Sequence, residues 1–236
     1  MTAGLFVAIE GGDGSGKGTQ SELLREHVGT TLGKHVLKIS FPRYGEQSAY
    51  YASQYLNGVY GTADEVPADL ASLTYALDRF AAKDDIETQL ALPGGFVIAD
   101  RYVASNLAHQ GTKFENPTER KAFYERMMIT EYEVLGIPKP SINIVLIMPT
   151  DLAQANVDKK DARSYTENKR DIHEADASHL DRAKANYEEL CYLYPSEFRS
   201  VQCTDNSGAM RSINDIQREI RTILKLENQS VIGSGE

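Results

Sequence analysis

The chain is poor in cysteine: Cys191 and Cys203 are the only two in 236 residues, and they have no CxxC spacing. That excludes a disulfide framework and fits a reducing compartment. Long apolar runs are missing as well. LFVAI from Leu5 and INIVLIM from Ile142 fall far short of the roughly 20 residues of a membrane helix. The opening MTAGLFVAIEGG has no basic segment before its apolar stretch, so no secretory signal is expected and a cytoplasmic location is. Basic residues are in deficit, with 25 Lys and Arg against 34 Asp and Glu, a formal net charge of -9. Such a surface argues against a nucleic-acid polymer as partner, because phosphate backbones are held by excess cations. There are no repeats, no low-complexity tracts and no Pro/Gly linker between two cores. One domain over residues 1–226 is therefore expected, with a polar, fraying tail at 227–236.

What is present alternates. Short β-rich runs at residues 5–9, 35–41, 95–100, 142–148 and 198–204 are separated by stretches long enough for crossover helices. Several runs are continuously apolar, as strands covered on both faces must be. The pattern predicts an α/β three-layer sandwich, a five-stranded parallel sheet with helices on both faces, binding ligands at the carboxyl ends of its strands. The first helix should run to about Leu32, with Gly33 past its end. Residues 151–174 are polar and mix both charge signs, and they read as a mobile helical lid.

Directly after the first strand stands Gly11-Gly12-Asp13-Gly14-Ser15-Gly16-Lys17-Gly18-Thr19. Glycines there let backbone N–H groups turn around a phosphate, the following helix presents its positive end, and the lysine reaches the outer phosphates. This is a candidate ATP-binding loop. Gly18 occupies the place where a Mg²⁺-binding hydroxyl is usual, and Thr19 is the nearest substitute. Asn168-Lys169-Arg170-Asp171 fits the guanine-reading NKxD pattern, but it follows polar SYTE and has no companion DxxG, so it is read as chance.

Three further segments carry the reading on: Phe41-Pro42-Arg43-Tyr44 and Asp100-Arg101-Tyr102 at strand ends, and Tyr75-Ala76-Leu77-Asp78-Arg79 on a helix between them. Tyr75 and Arg79 share a helix face, which can set an aromatic plane and a fork of donors beside one base. Together with the GxDGxGK loop and the continuation DRYVASN, these segments resemble the thymidylate kinase family of nucleoside monophosphate kinases, from Leu5 to about Leu226. Adenylate kinase loops share GSGKGTQ, but not the ALDR and DRYVASN segments.

The resemblance implies a P-loop kinase fold, a homodimer, and Mg²⁺-dependent transfer of a phosphoryl group from ATP to dTMP. It implies that Lys17 and the loop amides hold the donor, and that Asp13 meets the sugar 3′-hydroxyl and helps organise the metal. Arg43, Tyr44 and Arg101 then belong near the acceptor phosphate, with Phe41 and Ser105 in the same substrate site. Asp100 stands near the metal and its waters. Tyr75 matches the position stacking on thymine, Arg79 the one reaching O4, and Asn106 a base-reading side chain. His109 departs from the pattern: relatives commonly carry Tyr or Phe there, crowding the 2′ position, and the smaller imidazole predicts looser deoxy selectivity. Some relatives place an arginine in the phosphate loop after the aspartate. Here that position is Gly14, so Arg170 or Arg163 of the lid is the expected catalytic cation, and Glu174 the lid's acid near Asp13 or the metal. Other histidines show no ligand spacing, and Cys191 reads as core.

Overall fold

The computed structural model describes residues 4–158 and 177–226. Five strands form one parallel sheet: β1 (Leu5–Gly11), β2 (Val36–Ser40), β3 (Phe96–Asp100), β4 (Ile142–Ile147) and β5 (Phe198–Gln202), in the order β2-β3-β1-β4-β5. Each agrees with a run read from the sequence to within two residues at either end. β1 lies at the centre, with Ile9 opposite Asp100 of β3 and Gly11 opposite Leu146 of β4.

Because successive strand residues point to opposite faces, the sheet feeds two cores. Phe6, Ala8, Val97, Ala99, Val145 and Ile147 face one side, under α5 (Val103–Gly111), α6 (Pro117–Met128) and α8 (Ala177–Leu193). Val7, Ile9, Phe96, Ile98, Ile144 and Leu146 face the other, under α1 (Lys17–Glu26) and α9 (Ile213–Ile223). Burial on both faces explains why these strands read as unbroken apolar runs rather than as alternating ones.

α1 is continued by a π-helical turn, His27–Thr31, and ends before Gly33, whose φ of +61° suits a residue without a Cβ. Asn116 caps α6, its side-chain oxygen accepting from the Thr118 amide at 2.8 Å, with Pro117 in the first turn. Between β2 and β3 lie α2 (Tyr50–Leu56), α3 (Ala68–Ala81) and α4 (Lys83–Ala91). After β4 comes α7 (Thr150–Asp158), the opening part of the predicted lid. The rest of that lid, with Arg163, Arg170, Glu174 and the NKRD segment, and the tail at 227–236 lie outside the described residues. Among the described residues, no helix is long and apolar enough to cross a membrane.

Candidate active site

The loop from Gly11 to Thr19 joins the carboxyl end of β1 to α1 at the middle of the sheet, where strand order places ligands. Gly14 has φ +78°, and a Cβ built on it would stand 2.0 Å from the carbonyl oxygen of Ala153 in α7. A side chain there, arginine included, would have to displace α7. Gly18 is constrained differently: a Cβ would meet Asp100 Oδ2 at 3.3 Å, so a carboxylate faces the position of the usual hydroxyl. Lys17 is buried and donates from Nζ to the Gly12 carbonyl at 2.7 Å, with Asp13 at 4.0 Å. Burial and the neighbouring Arg101 charge lower its pKa to about 8. Ser15 Oγ is buried without a partner, while Thr19 is exposed.

Where β3 ends, Arg101 takes a left-handed φ of +68°, rare for a residue with a side chain. The turn aims its guanidinium across the end of β1, where it forms a short ion pair with Asp13 and donates from Nη1 to the Gly11 carbonyl and Ser105 Oγ at 3.2 Å each. Burial opposes that charge, but Asp13 leads the groups that raise the pKa well above the ordinary value. Beneath it Glu10 is fully buried and accepts from the Tyr102 amide at 2.7 Å and from Ser105 Oγ at 2.6 Å. Desolvation raises the pKa of this carboxyl despite those bonds.

Next to this cluster opens a pocket lined by Asp13, Phe41, Tyr44, Tyr75, Arg79, Arg101, Ser105, Asn106, His109 and Gln110, among others. It therefore gathers nearly the whole predicted substrate set. Arg79 is buried and pairs in fork geometry with Glu131, at 2.5 Å from Nε and 2.7 Å from Nη2. Asn106 donates to the same Glu131 and to the Ser72 carbonyl, each at 3.3 Å, which leaves Asn106 Oδ1 buried without a partner. Gln110 accepts at Oε1 from the Tyr55 hydroxyl at 3.3 Å, and its Nε2 is likewise buried without a partner. Tyr75 meets Tyr55 edge-on, with centroids 6.1 Å apart. His109 lies 3.2 Å from His179 of α8 through ring nitrogens, and His179 lies 3.3 Å from Thr112 Oγ1.

Arg43 is placed differently. Its backbone amide and Nε bond the Asp78 carboxylate at 2.6 and 2.9 Å, and Nη2 bonds Ser48 at 2.9 Å, so its fork turns onto α3 at the pocket's rim.

The sequence profile described as Thymidylate kinase matches residues 9–208. The chain belongs to the thymidylate kinase family. A thymidylate kinase of Mycobacterium tuberculosis is 35% identical over 193 residues, covering 79% of this chain and 85% of that protein. One from Symbiobacterium thermophilum is 27% identical over 94% of this chain and 92% of its own. Among solved structures, the thymidylate kinase of Candida albicans superposes with a TM-score of 0.69 at 18% identity, covering 96% of this chain and 93% of that one. That of Ehrlichia chaffeensis gives 0.61 at 17% identity, over 94% and 100%. These likenesses carry the fold: a five-stranded parallel sheet wrapped by helices.

Against the family's motifs, the residues that sequence reading missed are those that hold the motif residues in place. Glu131 sits on a π-helical turn after α6, Ile129–Val134, and Glu10 follows the apolar run of β1, one residue before its end. His179 carries no motif and, like the other histidines, no ligand spacing. Only Gln110, four residues after Asn106, was within reach of helix periodicity.

Proposed function

We infer that this chain transfers the γ-phosphoryl group of ATP to dTMP, giving ADP and dTDP, a step in dTTP supply for DNA synthesis. The observation that carries the reading is a pair of buried, unpartnered polar atoms on two residues that line the pocket, Asn106 and Gln110. Asn106 Oδ1 can accept only, and Gln110 Nε2 can donate only. Buried groups of this kind call for a ligand with the complementary pattern. An imide edge has it, N–H beside C=O, and thymine presents that edge.

Phosphoryl transfer asks little covalent chemistry of the protein, so positioning and charge neutralisation do most of the work. Lys17 and the amides of Gly11, Gly12, Asp13, Gly14, Ser15, Gly16, Lys17, Gly18 and Thr19 provide the donor site. Arg101 holds the acceptor phosphate, exchanging part of its bond to Asp13 for phosphate oxygens, and Tyr44 lines that end, while Arg43 stays at the rim and would have to leave Asp78 to join them. Tyr75 stacks on the base, with Arg79 at its carbonyl. Phe41, Ser105 and His109 shape the remaining wall, and Asp13 meets the 3′-hydroxyl. The lid supplies Arg170, with Arg163 as second candidate, and closes the site to water.

A Mg²⁺ ion suits the donors present. Asp13 and Asp100 offer hard carboxylate oxygens near the loop, and Thr19 and Glu174 would be the further candidates to hold it. Among the described residues no cluster of three or more His, Cys, Asp or Glu makes an all-protein cage. Mg²⁺ is usually held by one or two carboxylates plus substrate phosphates. When bound it neutralises charge on the transferring group.

The reading extends to a homodimer in the cytoplasm. Leu70, Leu73, Leu77 and Phe80 are all exposed by 40% or more and lie along one side of α3, an apolar stripe suited to self-association.

The test is ADP release measured with dTMP, dUMP, UMP, dCMP, AMP and GMP. Turnover that depends on dTMP supports the reading. Slow hydrolysis indifferent to every monophosphate would favour a nucleotide-dependent switch instead.

A further inference from the structure

The pocket reads the base through a side-chain amide, and an amide has two ends. Gln110 offers a donor to the pocket only while its Oε1 is held elsewhere; turned over, the same residue offers an acceptor. What holds it comes from α2 and from the residues just after α5. Tyr55 is fully buried, and its hydroxyl lies 3.3 Å from Gln110 Oε1. Lys113 reaches the same phenol oxygen at 3.4 Å and the Val66 carbonyl at 2.5 Å, with its ammonium 5.6 Å from the Tyr55 ring centroid.

An ammonium has donors and no acceptor. Against Lys113 the phenol oxygen therefore accepts, and its one proton points toward Gln110. That proton is satisfied by Oε1 and repelled by an NH₂ group. The Lys113–Tyr55 pair thus fixes the direction of the Gln110 amide, and Nε2 is left buried and unpartnered on a residue that lines the pocket. The neighbouring amide is fixed in the opposite sense: Asn106 donates to Ser72 and Glu131, and its oxygen is left buried and unpartnered.

We propose that Tyr55, oriented by Lys113, is a specificity-determining positioning residue that locks the Gln110 amide with its N–H₂ toward the base, selecting a ring carbonyl and rejecting a ring amino group. The proposal rests on the dTMP reading of the pocket. Its chemical content is the choice between thymine, with C=O at C4, and cytosine, with NH₂ there. A donor facing a donor leaves two buried N–H groups unpaired, which discriminates far more strongly than a difference in size.

The experiment compares dTMP and dCMP on the wild-type protein, Tyr55→Phe, Lys113→Met, Gln110→Met and the double variant Tyr55→Phe/Gln110→Met. Tyr55→Phe keeps the ring and frees the amide to turn. The expected result is a shift of about tenfold or more in the kcat/KM ratio toward dCMP, carried by KM with little change in kcat. The KM for ATP should stay unchanged, and Lys113→Met should move the ratio in the same direction by less. In the Gln110→Met background, Tyr55→Phe should have no further effect on the ratio. Calorimetric binding of dTMP and dCMP to the same variants gives the ratio independently of turnover. An unchanged ratio in Tyr55→Phe, a parallel loss of kcat on both substrates, or an equal shift in the Gln110→Met background would overturn the proposal. Failure of the broader reading looks different, since the wild-type protein itself would then not use dTMP.

Discussion

Asn156 donates from its side-chain nitrogen to the carbonyl oxygen of Gly14 at 3.0 Å, fastening α7 to the middle of the phosphate loop. The same helix leaves no room for a Cβ on Gly14, as the 2.0 Å approach of Ala153 requires. Loop and lid root therefore form one packed unit. Gly14→Ala must displace α7 and also strain a backbone with φ +78°, the latter alone worth about 1 kcal/mol. The expected outcome is at least a roughly tenfold loss in kcat/KM for ATP with dTMP affinity preserved, and a smaller loss for Asn156→Ala. Steady-state kinetics with each substrate varied in turn checks this.

Lys17 sets a pH limit on the donor site. Burial and Arg101 hold its pKa near 8, so ATP affinity should fall as pH rises through that value and the ammonium loses its proton. ATP phosphates favour the charged form, so binding near pH 8 should take up protons. Calorimetry in two buffers of different ionisation enthalpy measures that uptake. The stability of the ligand-free protein should respond the other way. The unfolded chain keeps this proton up to about 10.5 and the folded chain releases it near 8, so this group makes folding more favourable as pH rises between the two.

Glu131 joins Arg79 and Asn106 in one buried network. Glu131→Ala leaves a guanidinium buried without its partner, which costs about 3–5 kcal/mol of stability. The surviving folded protein should show a raised KM for dTMP and an unchanged KM for ATP. Urea denaturation and kinetics on the same sample separate the two effects.

His109 lines the pocket with His179 and Tyr187 behind it, the latter ring at 6.2 Å. His109→Tyr should sharpen discrimination between dUMP and UMP, by about tenfold if the phenol crowds the 2′ position. Equal discrimination by the two proteins would place the sugar filter elsewhere.

The strands were legible because burial on both faces writes itself as apolar runs, and the loop because Gly11, Gly14 and Gly16 take positive φ values that favour glycine. Tyr75, Arg79, Arg101 and Asn106 were found through local motifs. Glu131, Tyr55 and His179 were not, since each acts across more than 50 residues of sequence: Arg79 to Glu131, Tyr55 to Gln110, His109 to His179. Arg43 was found by motif, yet its bonds to Asp78 depend on how α3 packs, which no local pattern states.

Among the described residues, four cations at this site each face a carboxylate. Arg101 and Lys17 face Asp13, Arg79 faces Glu131 and Arg43 faces Asp78. On the proposed reading, a nucleotide phosphate arriving at Arg101 would trade places with a carboxylate instead of meeting a bare charge, and its net electrostatic gain would be the difference between two ion pairs. The same trade runs backward when dTDP and ADP leave. An acidic protein that must bind two polyanions and then let both go has, in these internal counter-ions, a means of keeping its products from sticking.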